Sequence, residues 1–396
     1  MGILAGILIA LFATSALIYV LGMHAHHVGL VDSPEHRKIH EADIPTIGGI
    51  AIFAGFMLAL LTLPVTNPFL IGFVLPALLL VGVGVLDDVV PISHKLRLIL
   101  QLMAGLLMTV AGGVVLDQLG ALLLPGTVIT LGVLAIPFTL VCLLTMINAV
   151  NMTDGIDGLA GLLTLVAVLG LGTVAYVGGQ FPILEKLSFL GVSLIVFLAF
   201  NARFMWRKRA VIFLGDSGST FLGFALIWFA VTLSQGEQAV MTPVTVLWFI
   251  AVPLFDMLMV FTRRVIKKQS PFAADREHLH HLFLAAGYSV GQTVVILTAV
   301  ALMLVGAGIA GLYYDVPENI MFILFLGLFA GCAYLVSRSW TSRRFMGRTI
   351  CRRTWLKCSL AQDRRRHSSI TDQESYQGAD RRSGEDRRKQ KRPDFD

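Results

Sequence analysis

Apolar runs alternate with short polar connections from the first residues to about Val336. Eleven of the runs reach roughly 18 residues, the length at which a helix spans a bilayer. They fall near Met1–Leu21, Ile47–Leu63, Phe69–Leu86, Leu96–Leu116, Val128–Ile147, a run leaving Gly161, Leu187–Phe200, a run opening at Asp216, Val240–Phe261, Val290–Tyr313 and Ile320–Val336. The pattern predicts an all-α polytopic membrane protein of about eleven transmembrane helices over residues 1–337. A basic tail, 338–396, has few large apolar residues after Leu360 and is expected to be largely disordered. The opening run lacks the basic flank and small-residue cleavage site of a secretory signal, so it is read as a retained first span.

Composition agrees with this reading: 56% of the 396 residues are hydrophobic, 14% are charged, and the mean hydropathy is +0.77. Charge then adds a direction. Of 31 Lys and Arg residues, 17 lie from Arg338 onward and 14 in the apolar domain. An N-terminus placed outside puts 13 of those 14 in inward loops and leaves only Lys186 in an outward one. The positive-inside rule therefore predicts a periplasmic N-terminus and a cytoplasmic C-terminus. The net charge of +6 describes a basic inner face that meets membrane lipids, with no nucleic-acid partner. Cys142, Cys332, Cys351 and Cys358 fall in spans or in the tail at no metal-ligand spacing, so neither a disulfide nor a zinc site is expected.

The candidate chemistry gathers at the inner ends of the spans. The stretch Asn148–Gly161, NAVNMTDGIDGLAG, repeats Asn148, Asn151, Asp154 and Asp157 every three residues, with Gly155 and Gly158 between them. It reads as an active-site loop, with Asp154 capping the following helix. Amides and carboxylates are oxygen ligands for a hard cation such as Mg²⁺. Asp87 and Asp88 end the third span, where negative charge is disfavoured, which implies a metal, a base or a basic partner. Lys95 and Arg97 follow at the start of the fourth. Asp216 sits among small residues in FLGDSGS. Asp256 lies seven residues before Arg263 and pairs with it on helical spacing. His278, His280 and His281 stand beside Arg276 and Arg263, where imidazoles suit phosphate oxygens better than a metal. An earlier inward loop places Arg37, Lys38 and His40 ahead of Pro45, Gly48 and Gly49, which suits either phosphate or a topological anchor. NARFMWRKR is read as an anchor. Ionisable groups at one face rather than at the bilayer midplane argue against a transporter, the alternative of a different class.

In this order RKIHEADIPTIGG, LDD, NAVNMTDGIDGLAG, FLGDSGS and SPFAADREHLHH resemble the polyprenyl-phosphate N-acetylhexosamine-1-phosphate transferases, over roughly Leu30–Val336. The resemblance implies transfer of GlcNAc-1-phosphate from UDP-GlcNAc to undecaprenyl phosphate with release of UMP, using Mg²⁺ or Mn²⁺. It implies a bacterial inner-membrane enzyme at the first membrane step of O-antigen or related polysaccharide assembly, with a homo-oligomer compatible. By that resemblance Asn151 and Asp216 hold the metal, Asp87 is the base toward the lipid phosphate, and Asp88 supports it. Asp154 and Asp157 place the nucleotide and Lys95 the lipid phosphate. His278, His280 and His281 with Arg263 meet the diphosphate. Another UDP-N-acetylhexosamine, or a covalent route through Asp87 or Asp216, fits the same motifs.

Overall fold

The computed structural model describes residues 2–32, 43–64, 66–90, 92–203, 207, 209–266, 268 and 278–339. Arg37, Lys38, His40, Arg276 and the tail beyond Ser339 lie outside the described residues. The chain divides into two units, Met1–Ala333 and Tyr334–Asp396, the second described only as far as Ser339 and helical there.

The first unit is a helical bundle with two small antiparallel hairpins. Its elements are α1 (Gly2–Val28), α2 (Gly48–Leu60), α3 (Asn67–Val89), α4 (His94–Ala111), α5 (Gly132–Thr153), α6 (Leu159–Val177), α7 (Phe181–Asn201), α8 (Gly215–Ser234), α9 (Pro243–Phe249), α10 (Ala251–Ile266), α11 (Leu279–Ala285), α12 (Val290–Tyr313) and α13, which starts at Glu318. The hairpins pair β1 (Val31–Asp32) with β2 (Ile44–Pro45) and β3 (Gln118–Gly120) with β4 (Ile129–Thr130). Among the described residues nine helices are long and apolar enough to cross a membrane, or ten if the bent pair α9 and α10 counts as one span. The chain is a multi-pass membrane protein.

Two expected spans differ in detail. The run at Ile47–Leu63 folds as α2, 13 residues long, or about 20 Å at helical rise, short of the roughly 30 Å hydrocarbon core. Its first turn is set inside the protein, where the Gly48 and Gly49 amides donate to the Phe213 and Leu214 carbonyls at 2.9 and 2.8 Å. The run at Val240–Phe261 is not one straight helix but bends by 83° at Ile250. Pro253 has no amide hydrogen to give the Phe249 carbonyl, which removes the bond that would carry the helix through that point.

Helix α8 is the axis of the bundle. Every residue in it is buried except Gly215, Asp216 and Thr232, as expected for a helix apolar all round and packed on all sides. Helices α2, α3 and α5 pack against it. A Cβ on Gly49 would run into the backbone of Gly218, and one on Gly84 into that of Ser217. Two neighbouring backbones therefore reach van der Waals contact with the first turn of α8, which fixes the position of Asp216.

Candidate active site

The first turn of α8 carries exposed helix-terminal amides, and Asp88, from the end of α3, reaches across to satisfy them. Its Oδ1 accepts the Asp216 amide at 2.8 Å and its Oδ2 the Ser217 amide at 3.4 Å. The carboxylate thus closes its own helix, where its charge is unfavourable, but caps the N-terminus of another, where it is favourable. Asp87, beside it, has a different solution. Its Oδ1 accepts the Ile92 amide at 2.8 Å, and its Oδ2 lies 2.9 Å from Arg97 Nη1. The same Arg97 nitrogen stands 3.6 Å from Asp216 Oδ2. The basic partner implied by the paired aspartates is therefore Arg97, one helical turn into α4. Lys95 is exposed on the same turn.

From α5, the Asn151 amide nitrogen donates to Asp216 Oδ1 at 2.5 Å and to Ser219 Oγ at 3.0 Å. This leaves the Asn151 carbonyl oxygen as a donor atom for a cation. Asn148 turns back on its own helix, its Nδ2 donating to the Leu144 carbonyl. The expected loop is thus half helix: α5 runs to Thr153. Asp154 does not cap the following helix but closes the preceding one, and the residue before α6 is Gly158 at φ +86°. The left-handed turn there demands glycine, and Cβ-bearing residues would also press on Ala202.

Asp157 braces this turn. Its Oδ2 accepts the Arg203 Nε at 2.7 Å and the Ala210 amide at 3.1 Å. Asn201, buried, accepts the Gly158 amide at 2.8 Å and donates to the Ile212 carbonyl at 2.8 Å. NARFMWRKR is thus more than an anchor, because Asn201 and Arg203 fasten the aspartate loop. Asp154, by contrast, is half-buried with no protein hydrogen bond on its carboxylate among the described residues. Burial, and then the charges of Asp216, Asp88 and Asp157, push its pKa well above the usual carboxylate range. A cluster of carboxylates with one unsatisfied member is what a divalent cation or a cationic ligand would relieve.

The histidine turn closes over the same loop. Asp256 does not pair with Arg263 as helical spacing suggested. Its Oδ2 accepts His278 Nδ1–H at 3.0 Å and its Oδ1 accepts the Leu279 amide at 2.7 Å. This bond pair pins the start of α11. His278 and His280 stack with ring centroids 5.6 Å apart and 2° between planes, and His281 lies 4.2 Å from His280. Helix α11 brings the three rings together, while Arg263 sits one turn from the end of α10. His280 is 2% exposed and its Nε2 has no hydrogen-bond partner among the described residues. A Cβ on Gly155 would overlap that Nε2, so the Asp154–Gly155 turn and the imidazole are in direct apposition. Burial first, then His281 and His278, outweigh Asp256 and push the His280 pKa down to about 3. His280 is therefore a neutral hydrogen-bonding group at neutral pH.

Comparison with known proteins decides the family. The model of glycosyl transferase family 4 matches residues 70–234. The chain is 38% identical over 334 residues to the undecaprenyl-phosphate alpha-N-acetylglucosaminyl 1-phosphate transferase of Yersinia pestis, covering 84% of this chain and 91% of that one. It is 36% identical over 345 residues to that of Salmonella typhi, covering 86% and 93%, and 37% identical over 335 residues to that of Haemophilus influenzae, covering 84% and 94%. The chain belongs to glycosyl transferase family 4. The family match spans α3 through α8 and so contains Asp87, Asp88, Asn151, Asp154, Asp157 and Asp216. The histidine turn lies beyond it, on the stretch that the relatives share.

Sequence reasoning passed over Arg97 in favour of Lys95, and missed Asn201, Arg203 and Ser219. Arg97 was legible: it lies ten residues after Asp87, across one turn and at the head of a helix. Asn201 carried no such signal, because its role depends on a loop that returns to it from Ile212.

Proposed function

We propose that this chain transfers GlcNAc-1-phosphate from UDP-GlcNAc to undecaprenyl phosphate, with Mg²⁺ or Mn²⁺, at the cytoplasmic face of a bacterial inner membrane. The observation that carries the reading is the identity of 36–38% to transferases of that name over more than nine-tenths of their length. The convergence of Asp87, Asp88, Asn151, Asp154 and Asp216 at one end of the bundle supports it. So does the basic bias of that end, which by the positive-inside rule favours a cytoplasmic site and an outward N-terminus.

The residues fit a magnesium-type cation. Among the described residues no group of three or more His, Cys, Asp or Glu is arranged to hold a metal. Mg²⁺ does not need one, since it is held by one or two protein oxygens plus substrate phosphates and water. Asp216 and the Asn151 carbonyl would supply the protein oxygens, with the unsatisfied Asp154 close by. When bound, the ion would offset charge on the diphosphate and on departing UMP.

In the transfer, an oxygen of the lipid phosphate attacks the sugar-bearing phosphorus of UDP-GlcNAc. The bond from that phosphorus to the bridging oxygen breaks, and UMP leaves with the electron pair. Arg97 is placed to receive the lipid phosphate. As its guanidinium turns to the incoming anion, Asp87 Oδ2 is released to take the proton that a phosphate monoester still carries near its second pKa of about 6. Asp88 holds the α8 amides and so keeps Asp216 aimed. The neutral His280 Nε2, with His278, His281 and Arg263, would meet the diphosphate, and Lys95 the lipid phosphate from the exposed side.

The test is incubation of membranes containing the protein with radiolabelled UDP-GlcNAc and undecaprenyl phosphate. Label in the lipid fraction with UMP released supports the reading. Lipid-linked label only from another UDP-N-acetylhexosamine would reassign the sugar, and none from any would overturn the reading.

A further inference from the structure

At the end of the bundle opposite the aspartates, a half-open cavity of about 250 Å³ lies between the start of α3, the end of α4, the start of α7 and the end of α8. Its walls include Phe69, Ile183, Trp228 and Phe229, with Thr66 and Thr232 as the neutral polar groups. Lys186 is its one charged lining residue, and in the proposed orientation it is also the one Lys or Arg of the apolar domain on the outward side. The direction of this side chain matters. A lysine that merely anchors a helix extends its ammonium to water. Here the ammonium lies over the Phe69 ring, 5.2 Å from its centroid, and gives one hydrogen bond at 2.8 Å to the Pro182 carbonyl of its own helix. An ammonium has three donors, so two remain unspent. Among the described residues no carboxylate lies within ion-pair distance of it.

We propose that this cavity binds an anionic phospholipid of the outward leaflet, with its phosphate on Lys186 and the first carbons of one chain against Phe69 and Trp228. Charge complementarity selects an anion and the aromatic walls select an amphiphile. Size sets how much of it enters. Pockets that engulf a whole drug-sized ligand hold roughly 300–1,000 Å³, so this one takes a headgroup and the top of a chain, and the remainder lies in the bilayer. Thr66 offers a hydroxyl to the phosphate oxygens, and Thr232, whose own hydroxyl donates to the Trp228 carbonyl at 2.8 Å, can accept from a glycerol hydroxyl. The site is separated from the proposed chemistry by the length of α8, so its occupant is not the acceptor lipid in its reactive position.

Trp228 is a reporter built into the wall. In a variant whose other tryptophans (Trp206, Trp248, Trp340, Trp355) are phenylalanine, full-length protein is reconstituted with phosphatidylglycerol or phosphatidylcholine, each brominated on the chain carbons nearest the glycerol. One lysine near an anionic lipid surface favours the anion by roughly fivefold in binding. Phosphatidylglycerol should therefore quench Trp228 at about one fifth of the mole fraction that phosphatidylcholine requires. Lys186→Gln should bring the two curves together, and Lys186→Arg should keep them apart. Equal quenching by both lipids in the Lys186 protein would overturn the proposal, as would a preference that survives Lys186→Gln. Reversal of the quenching by millimolar inorganic phosphate would assign the site to a free anion and equally overturn it. Should the reporter variant fail to fold, native mass spectrometry of the unmodified protein and Lys186→Gln with the two unbrominated lipids decides the same question. Loss of one retained phosphatidylglycerol in the variant is expected, and identical retention refutes the site.

Discussion

Replacing Arg97 by glutamine removes the one positive charge that, among the described residues, stands between Asp87, at 2.9 Å, and Asp216, at 3.6 Å. Breaking a fully buried pair costs about 3–5 kcal/mol. The Arg97 side chain is 26% exposed and that of Asp216 33%, although Asp87 is only 7% exposed. Solvent therefore screens part of the interaction, and a folding loss of about 1–3 kcal/mol is the reasonable scale. The catalytic loss should be larger in effect. A preorganised charge acting on a developing anion is worth about 10²–10³ in kcat, and Arg97→Gln should fall by that amount in lipid-linked label formed per unit of inserted protein. Arg97→Lys should recover only part of it, because Nη1 alone meets both carboxylates while Nη2 is held 3.2 Å from His94 Nδ1, and an ammonium on a shorter stem has no second arm to fix it in that place. Lys95→Gln is the internal comparison. Lys95 is exposed, so its removal should raise the undecaprenyl phosphate concentration needed and leave kcat within about tenfold. The measurement is initial rate against lipid concentration for all three variants in detergent-solubilised membranes. A Lys95→Gln loss equal to or greater than that of Arg97→Gln would refute the argument and return the lipid phosphate to Lys95.

Other outcomes follow from the same geometry. Asp216→Ala should abolish turnover while the protein still inserts, and Asn151→Ala should raise the Mg²⁺ concentration for half-maximal rate; wild-type metal dependence in both would remove them as ligands. Gly155→Ala places a methyl group on His280 Nε2 and should cost about 1–3 kcal/mol of overpacking; restoration of the melting temperature in the double variant Gly155→Ala, His280→Ala checks the contact. Because the folded-state pKa of His280 is pushed down to about 3 and an unfolded histidine titrates near 6.5, the unfolded chain binds the extra proton between those values. Stability contributed by neutral His280 is therefore present above about pH 6.5 and lost as pH falls toward 3, so the melting temperature of His280→Asn should decline less steeply on acidification than that of the unsubstituted protein; parallel declines would count against the burial.

The helices were legible because a bilayer imposes one solution on a long apolar run. The aspartates were legible because charge at such helix ends requires a reason. What stayed hidden was pairing across the fold. Helical spacing joined Asp256 to Arg263, yet the partners of Asp256 come from a turn 22 residues later, at His278 and Leu279. Periodicity cannot anticipate a loop that folds back. The Gly48–Gly49 pair, read as suiting either phosphate or an anchor, also has a packing role that no pattern announced: its amides bond to Phe213 and Leu214 and its missing side chains let α2 touch α8. Span length also misses the bend that Pro253 imposes between α9 and α10, and the shortness of α2, whose first turn is satisfied by protein. A helix whose ends are satisfied by protein need not traverse the hydrocarbon alone.

The adjacent aspartates show how this arrangement joins packing to chemistry. Asp88→Asn separates their roles, because it keeps the size and one acceptor oxygen but loses the charge that caps α8. Hydrogen bonds to a charged acceptor contribute about 1.5–3 kcal/mol each, and the anion at the helix N-terminus about 0.3–1 kcal/mol more. A thermal destabilisation of about 2 kcal/mol is thus expected, together with a fall in kcat, since Asp216 loses its fixed aim. Asp87→Asn leaves that cap whole, and its defect should instead depend on pH. If Asp87 removes the lipid phosphate's proton, a contribution of about 10²–10⁴ is at stake near neutrality, and it should shrink toward pH 9, where the phosphate is already a dianion. The Asp88→Asn deficit, which comes from a lost cap, should not shrink over the same range. Rates from pH 6 to 9 at two Mg²⁺ concentrations distinguish the pair. A constant Asp87→Asn deficit would exclude the base role, and trapping of a sugar-phosphate adduct on Asp87 would replace it with a covalent one.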